Sequence, residues 1–243
     1  MIIKVLGSAA GGGFPQWNCN CRNCAAVRRG AVGLEPRTQS SLAVSIDGRR
    51  WTLLNASPDL RQQIAATPEL NPAEGDPSRS SPIKSVVLSN ADVDHIAGLL
   101  ILRESQPLTI HADPRVLSAL AASTIFGVLG ERYVERLPIR RDERFEPAGC
   151  PGLAIEAFEV PGKVALYLED AQAGPDFGTA PGDTLGLKLI DTRSGRFACY
   201  VPGCAAVDDA LIRRMTGAAA ILFDGTLFTD DEMITQGLSQ KSG

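Results

Sequence analysis

Short apolar segments alternate with turn-forming residues along most of this chain. Segments of about four to eight apolar and β-branched residues, bounded by Gly, Pro, Asn or Asp, are typical of β-strands. The pair Asp47-Gly48 between two such segments is typical of a hairpin turn. The segments that we predict as strands are IIKVL, SLAVSI, RRWTLLNA, IKSVVL, LTIHA, LAIEAFEV, TLGLKLID, RFACYVPG and AAAILFDG, the first and the last of them buried.

Helical patterns stand between several of these strands. Ser57 and Asp113 suit N-cap positions, and a proline at the first helical position follows each of them. The segments that we predict as helices are SPDLRQQIAAT, HIAGLLILRES, DPRVLSALAAST, DDALIRRM and TDDEMITQGL. Strand pairs that alternate with single helices indicate a layered α/β or α+β domain.

Composition and charge exclude several classes of protein. The chain has 243 residues, of which 44% are hydrophobic and 21% charged, values that are ordinary for a globular domain. A net charge of −4 leaves no electrostatic footprint for nucleic acid, and no apolar run is long enough for a bilayer. The N-terminal segment lacks the basic start and apolar core of a signal peptide. We therefore expect a cytoplasmic protein without nucleic-acid or membrane partners, and the sequence allows a homodimer.

Three of the six cysteines form a C-x-C-x-x-C cluster, Cys19, Cys21 and Cys24. Thiolates at this spacing can converge on one soft cation, and zinc takes such ligands tetrahedrally. We predict a structural zinc site, and free or transiently oxidised thiols are the alternative. Residues that could supply the fourth ligand by type are Cys150, Cys199, Cys204 and His111.

A second group of candidate ligands follows the apolar run IKSVVL. Asn90, Asp92, Asp94 and His95 stand at tight spacing before the next apolar stretch, and in an extended chain the first three would point to one side. Ligands at the carboxyl end of a strand occupy the usual functional edge of an α/β sheet. The alternative is a helix N-terminus lined with capping acids. Asp224, in ILFDGTL, follows another apolar strand and would face the same edge, unless it belongs to a simple Asp-Gly turn.

In order, the motifs LGSAAGGGFPQWNCNCRNC, NASPDLRQQI, LSNADVDHIAGLL, VPGK, YVPGC and LFDGTL closely resemble the pyrroloquinoline quinone (PQQ) biosynthesis protein B family of the metallo-β-lactamase superfamily. The resemblance runs over the whole chain. It implies one metallo-β-lactamase-like domain over residues 1–243, a four-layer αββα sandwich, with the zinc loop at residues 14–40. Since family members continue further, it also implies a C-terminally truncated chain, whose missing segment would carry histidines for both metal sites.

Departures from the superfamily pattern carry most of the functional information. The H-x-H-x-D-H motif falls on NADVDH, so that its two leading histidines become Asn90 and Asp92, while Asp94 and His95 are kept. The superfamily's bridging aspartate matches Asp224. The next histidine has no counterpart, because VPGK places Lys163 after the glycine. The early strand-end aspartate of the superfamily falls near Asn55, and Val160 precedes the proline of VPGK.

Carboxylates in place of histidines favour a harder, redox-capable ion such as iron(II) over a two-zinc centre. The resemblance therefore implies an iron- and oxygen-dependent hydroxylase that acts on the tyrosine ring of a glutamate–tyrosine-derived PQQ precursor. Asp94, His95 and Asp224 would hold the metal, with Asp92 as a further ligand and Asn90 as a supporting residue. The alternatives are a carrier that binds PQQ or its precursor for transport to the periplasm, and a metal-dependent phosphodiesterase-like hydrolase.

Overall fold

Two β-sheets form the centre of the fold. The computed structural model describes residues 1–174, 176–225, 229, 231–235 and 237. The strands of the first sheet are β1 (Ile2–Gly7), β2 (Ser41–Ser45), β3 (Trp51–Leu54), β4 (Ile83–Val87), β5 (Leu108–Ala112) and β6 (Val134–Pro138). They lie in sequence order, antiparallel from β1 to β3 and parallel from β3 to β6. The carboxyl ends of β3 to β6 therefore share one edge of the sheet.

The second sheet is mostly antiparallel. Its strands are β7 (Arg144–Phe145), β8 (Leu153–Glu159), β9 (Leu185–Asp191), β10 (Phe197–Val201) and β11 (Ala220–Phe223). Their order is β11-β10-β9-β8-β7, and the pair of β10 and β11 is parallel. The two segments that follow β10 and β11 consequently start at the same end of this sheet.

Short helices connect the strands. They are α1 (Arg22–Arg28), α2 (Leu60–Ala65), α3 (Val93–Ile96), α4 (Pro114–Ala122), α5 (Asp209–Met215) and α6 (Glu232–Thr235). Asp113 caps α4 as predicted, because its side chain accepts a hydrogen bond from the backbone N–H of Arg115. Short 3₁₀ helices cover Pro68–Leu70, Ala97–Leu102, Thr124–Val128 and Leu166–Leu168.

Apolar side chains from both sheets fill the space between them. The buried residues of this central core include Leu42, Val44, Leu54 and Val87 from the first sheet and Leu153, Ile155, Leu185, Leu187 and Leu189 from the second. The outer face of the first sheet packs on a cluster that includes residues of α2, α3 and α4. On the second sheet, Phe158 and Val201 pack with Leu211 of α5. These layers confirm the predicted αββα sandwich.

Several elements differ from the prediction, among them β6 and β7, which were not predicted as strands. The segment HIAGLLILRES is not one helix, because α3 ends at Ile96 and a 3₁₀ turn continues to Leu102. Ser57 does not cap α2, since its hydroxyl donates to the side chain of Gln63 and the helix begins at Leu60. The strands β1 and β11 were expected to be buried. Within the described residues, Ile2 and Val5 of β1 are exposed, and so are Ile221 and Phe223 of β11.

The model also bears on membrane association. Among the described residues, no helix combines the length and the apolar character that are needed to cross a membrane.

The central core yields a stability prediction at Leu187, which is fully buried between the sheets. We expect Leu187→Ala to lower the free energy of unfolding by about 2–5 kcal/mol, because truncation loses buried apolar contact and leaves a cavity. Urea unfolding would measure the change. Val32→Ala is the control, since Val32 is exposed, and it should change stability by no more than about 0.5 kcal/mol. A loss at Leu187 as small as that of the control would contradict the packing.

Candidate functional site

The loop after β4 lies where the two sheets meet. The N–H of Leu185, at the start of β9, donates to the carbonyl of Ser89 at 2.8 Å. Asn90 forms an isolated antiparallel bridge with Thr184. Asn55, which follows β3, accepts the Ser89 N–H on its side-chain oxygen at 2.9 Å. The loop is thus held by a neighbouring strand of its own sheet and by the opposite sheet, so that its side chains are fixed in place.

Asn90 orients the imidazole of His95. The Asn90 Oδ1 atom lies 2.6 Å from His95 Nδ1. The amide orientation is set by Asp92, because Asn90 Nδ2 donates to Asp92 Oδ2 at 2.6 Å and Asp92 N–H donates to Asn90 Oδ1 at 3.1 Å. Since an amide oxygen only accepts, the imidazole proton is on Nδ1. Nε2 of His95 therefore keeps its lone pair.

Burial of His95 favours a neutral ring. Burial lowers the pKa of His95, while the negative charges of Asp94, Asp92 and Asp224 act in the opposite direction. Burial raises the pKa of the Asp92 carboxyl, and the charge of Asp94 adds to this, whereas His95 and Lys163 oppose it. A neutral imidazole with a fixed Nδ1 proton is the form in which histidine binds a metal through Nε2.

Asp94 and Asp224 approach the same buried region from different parts of the chain. A Cβ atom built on Gly11 would lie 3.6 Å from Asp94 Oδ2, so the glycine-rich turn after β1 passes close to that carboxylate. Asp224 follows β11, and its Oδ2 accepts the N–H of Cys204 at 3.4 Å. The charges of both aspartates act on His95.

The structure places the predicted active-site residues near one another, but their ligand atoms do not converge on one ion position. Asn90, Asp92 and His95 are directly hydrogen-bonded. The stretch is not extended, because Asp92 is the N-cap residue of α3 and Asp94 lies within that helix. Among the described His, Cys, Asp and Glu side chains, the cysteine cluster is the group whose ligand atoms all lie within 4.8 Å of one another.

The cysteine cluster is already compact. The Sγ atoms of Cys19, Cys21 and Cys24 lie within 4.8 Å of one another at the start of α1. The backbone N–H of Cys21 points to the sulfur of Cys19, and that of Cys24 to the sulfur of Cys21, each at 3.4 Å. Hydrogen bonding from the Cys24 N–H lowers the pKa of Cys21, while burial raises that of Cys24 to about 11. Three converging sulfur atoms fit zinc.

The candidate fourth ligands lie elsewhere in the described part of the chain. His111 stacks on Phe145 at 5.0 Å between ring centroids, and its Nε2 accepts the N–H of Ala148. Burial lowers its pKa to about 4. Cys150 belongs to the core between the sheets, Cys199 lies within β10, and Cys204 lies beside Asp224. None of these side chains joins the three clustered sulfurs.

Tyr200 is a residue of the site that sequence reasoning missed. Its hydroxyl lies 3.0 Å from Ser40 Oγ and 3.4 Å from Asn55 Nδ2, so it connects β10 of the second sheet with the first. Burial raises its pKa to about 12, with smaller contributions from the charges of Asp94 and Asp224. The signal was a hydroxyl at an inward-facing position of the otherwise apolar strand FACYV.

Comparison with known proteins assigns the family. Residues 50–242 match the model of the β-lactamase superfamily domain. Two proteins named coenzyme PQQ synthesis protein B, from Methylobacterium sp. (strain 4-46) and Rhizobium meliloti (strain 1021), are each 52% identical to this chain. The first alignment covers 100% of this chain and 79% of the relative, and the second covers 99% and 77%. This chain belongs to the coenzyme PQQ synthesis protein B family.

Solved structures agree with this assignment to the PQQ synthesis protein B family. The crystal structure of Zn²⁺-bound PqqB from Methylobacterium extorquens is 49% identical, with a TM-score of 0.92, and the match covers 100% of this chain and 79% of the other. A diphosphatase from the PhnP family is 18% identical, with a TM-score of 0.63, over 90% of this chain and 71% of the other. At that identity the second similarity shows the fold alone.

The buried phenol of Tyr200 predicts how stability depends on pH. Its pKa in the folded chain, about 12, lies above its ordinary value of 10.0. The protonated phenol therefore contributes stability that is complete below the ordinary value and is lost as pH rises through the folded value. We expect the free energy of unfolding, measured by urea titration at a series of alkaline pH values, to fall less steeply in Tyr200→Phe. An unchanged alkaline slope in this variant would contradict the burial of the phenol.

Proposed function

We propose that this chain acts in PQQ biosynthesis as an iron- and oxygen-dependent hydroxylase of the tyrosine ring of a glutamate–tyrosine-derived precursor. The observation that carries the proposal is the buried, neutral His95, whose Nδ1 proton is held by Asn90 beside acidic side chains. The names of the relatives, at about 50% identity, support the pathway.

The donor set fits iron(II) by its chemistry. Imidazole nitrogen combined with carboxylate oxygens is the ligand type of non-haem iron oxygenases, which leave positions open for oxygen and substrate. In this chain, Nε2 of His95 and carboxylate oxygens of Asp94 and Asp224 would hold the ion. Bound iron would supply the one-electron chemistry that dioxygen needs in order to react with an aromatic ring.

The protein's own residues orient the imidazole of His95 and bury it. Asn90 fixes the ring of His95, and Asp92 fixes Asn90 in turn. Supporting hydrogen bonds of this kind set the tautomer and direction of a ligating histidine. The buried hydroxyl of Tyr200 lies between the sheets, within hydrogen-bond distance of Ser40 and Asn55. In the overall reaction, one oxygen atom of dioxygen enters the ring, the other leaves as water, and two electrons come from an added reductant.

We further propose that Cys19, Cys21 and Cys24 hold a structural zinc ion. The proximity of their sulfur atoms and the N–H groups directed at two of them support this role. Zinc would deprotonate the thiols and so offset the cost of burying Cys24, whose pKa is raised by desolvation. The ion would fix the loop that precedes α1.

The zinc proposal predicts the metal content of cysteine variants. Cys21→Ser should lose most of the tightly bound zinc of the purified protein, because one of three clustered thiolates is removed. Elemental analysis after dialysis would measure it. Cys199→Ala is the matched control, since Cys199 lies in β10, and it should keep its zinc. Equal zinc in both variants would contradict the assignment.

The hydroxylase proposal is tested by loading the purified protein with iron(II) without oxygen, then adding precursor, reductant and oxygen. We expect hydroxylated product and matching oxygen uptake. Asp94→Ala should lower the rate by about a hundredfold or more, which is the scale for losing metal-site groups. Asp47→Ala is a control, because Asp47 caps the distant turn before β3.

Three outcomes of this experiment would contradict the proposal. Absence of product and of oxygen uptake, at full iron occupancy, would exclude hydroxylation. Precursor binding that survives both metal removal and Asp94→Ala, without turnover, would favour a carrier. Hydrolysis of a generic phosphodiester in the presence of zinc or manganese would favour a hydrolase.

A further inference from the structure

The segment Lys163–Leu168 lies next to the loop that carries the candidate metal ligands. Thr184 joins the two, because its Oγ1 donates to the carbonyl of Lys163 at 3.1 Å and its backbone bridges to Asn90. Gly162 permits this approach, since a Cβ atom there would lie 2.6 Å from the Thr184 side chain. The position of Lys163 relative to Asn90 is therefore set by backbone contacts.

Lys163 is an exposed cation at the rim of an acidic site. Asp92, Asp94 and Asp224 place three carboxyl groups around a ring that is itself neutral. Lys163 is close enough for its charge to act on Asp92. None of the ion pairs within 4.0 Å among the described residues includes Lys163, so its ammonium group is open to a ligand.

Exposed apolar side chains follow Lys163 and Asp92 closely along the chain. The turn Leu166–Leu168 begins three residues after Lys163, and Leu166 is 79% exposed. Tyr167 is also exposed, and its phenol is close enough to Asp92 for that charge to act on it. Val93, directly after Asp92, is 58% exposed. Exposed apolar side chains near polar reactive groups are typical of ligand-binding sites.

We propose that Lys163 and the turn Leu166–Leu168 form the recognition surface for an aromatic ligand that carries carboxylate groups. The ammonium group pairs with a carboxylate of the ligand, and Tyr167 and Leu166 contact its ring. This inference rests on the proposed function, because it assumes that the ligand reacts at the neighbouring metal site. It explains how an anionic molecule approaches a site that is itself rich in carboxylates.

Electrostatics makes the lysine necessary for such a ligand. A carboxylate that approaches the three aspartates meets repulsion, which a cation at the rim reduces. Lys163 would therefore serve as the anion receptor of the site. An uncharged side chain there would leave the repulsion in place, whereas arginine would preserve the attraction.

Binding titrations with two matched probes test the proposal without turnover. PQQ carries three carboxylates on an aromatic ring system, and its trimethyl ester keeps the rings but lacks the charges. We expect Lys163→Gln to weaken PQQ binding by about tenfold, as for loss of one charged hydrogen bond, and to leave the ester nearly unchanged. Lys163→Arg should restore PQQ binding. Tyr167→Ser should weaken both probes alike, because it removes a ring contact.

The control is Lys4→Gln. Lys4 lies in β1 and forms an exposed ion pair with Glu69, so this variant removes the same charge at another place. It should bind PQQ within about twofold of the parent chain. PQQ binding to Lys163→Gln within that range, or no binding of PQQ to the parent chain, would overturn the recognition surface. These results are independent of the iron-loading experiment. If Lys163→Gln still hydroxylates the precursor and binds PQQ as well as the parent chain does, the result contradicts this inference alone. If the parent chain is inactive, the result contradicts the proposed function.

Discussion

The hydrogen bond between the Asn90 side chain and the His95 ring is the interaction on which the candidate site depends. It places the imidazole proton on Nδ1 and leaves Nε2 as the free donor atom. Burial keeps the ring neutral even though Asp92, Asp94 and Asp224 act in the opposite direction. Without Asn90, the His95 ring would be free to rotate or to take a second proton. Its Nε2 atom would then not be held in place to bind an ion together with the carboxylates.

The fold supplies this constraint by joining its two sheets at the site. Backbone contacts from Ser89 to Leu185 and from Asn90 to Thr184 connect the end of β4 with the start of β9. Beneath them, the hydroxyl of Tyr200 reaches from the second sheet to Asn55 and Ser40. The same Thr184 also holds the backbone of Lys163. One contact region between the sheets thus positions the candidate metal ligands, their supporting residues and the proposed recognition surface.

Local patterns predicted the strands well because their alternation is set by local sequence. The segment LTIHA is the whole of β5, and Asp113 caps α4 as its chemistry indicates. Tertiary contacts overrode the pattern elsewhere. The helix that starts at Val93 gives way to a 3₁₀ helix that includes Gly98. The backbone of Gly98 lies so close to Ser57 that a Cβ atom on Gly98 would be 2.1 Å from the Ser57 carbonyl oxygen. The exposure of β11 depends on what packs against it, which its own residues do not determine.

The motifs around His95 indicated the ligand types, but not their geometry. The family resemblance implied a supporting role for Asn90, but its bond to His95 is visible only in three dimensions. Tyr200 and the contact between Lys163 and Thr184 join residues that are distant in sequence, so no local pattern could have shown them.

The most direct test of the His95 site is nitrogen-15 NMR of the imidazole rings, in protein that carries no polyhistidine tag. The sequence has two histidines, and His111→Gln would assign their signals. Before metal is added, we expect His95 to be neutral and protonated at Nδ1. Addition of iron(II) or a diamagnetic substitute should perturb the Nε2 signal of His95 and leave that of His111 unchanged. A His95 ring protonated at Nε2, or one whose Nε2 signal ignores the metal, would contradict it.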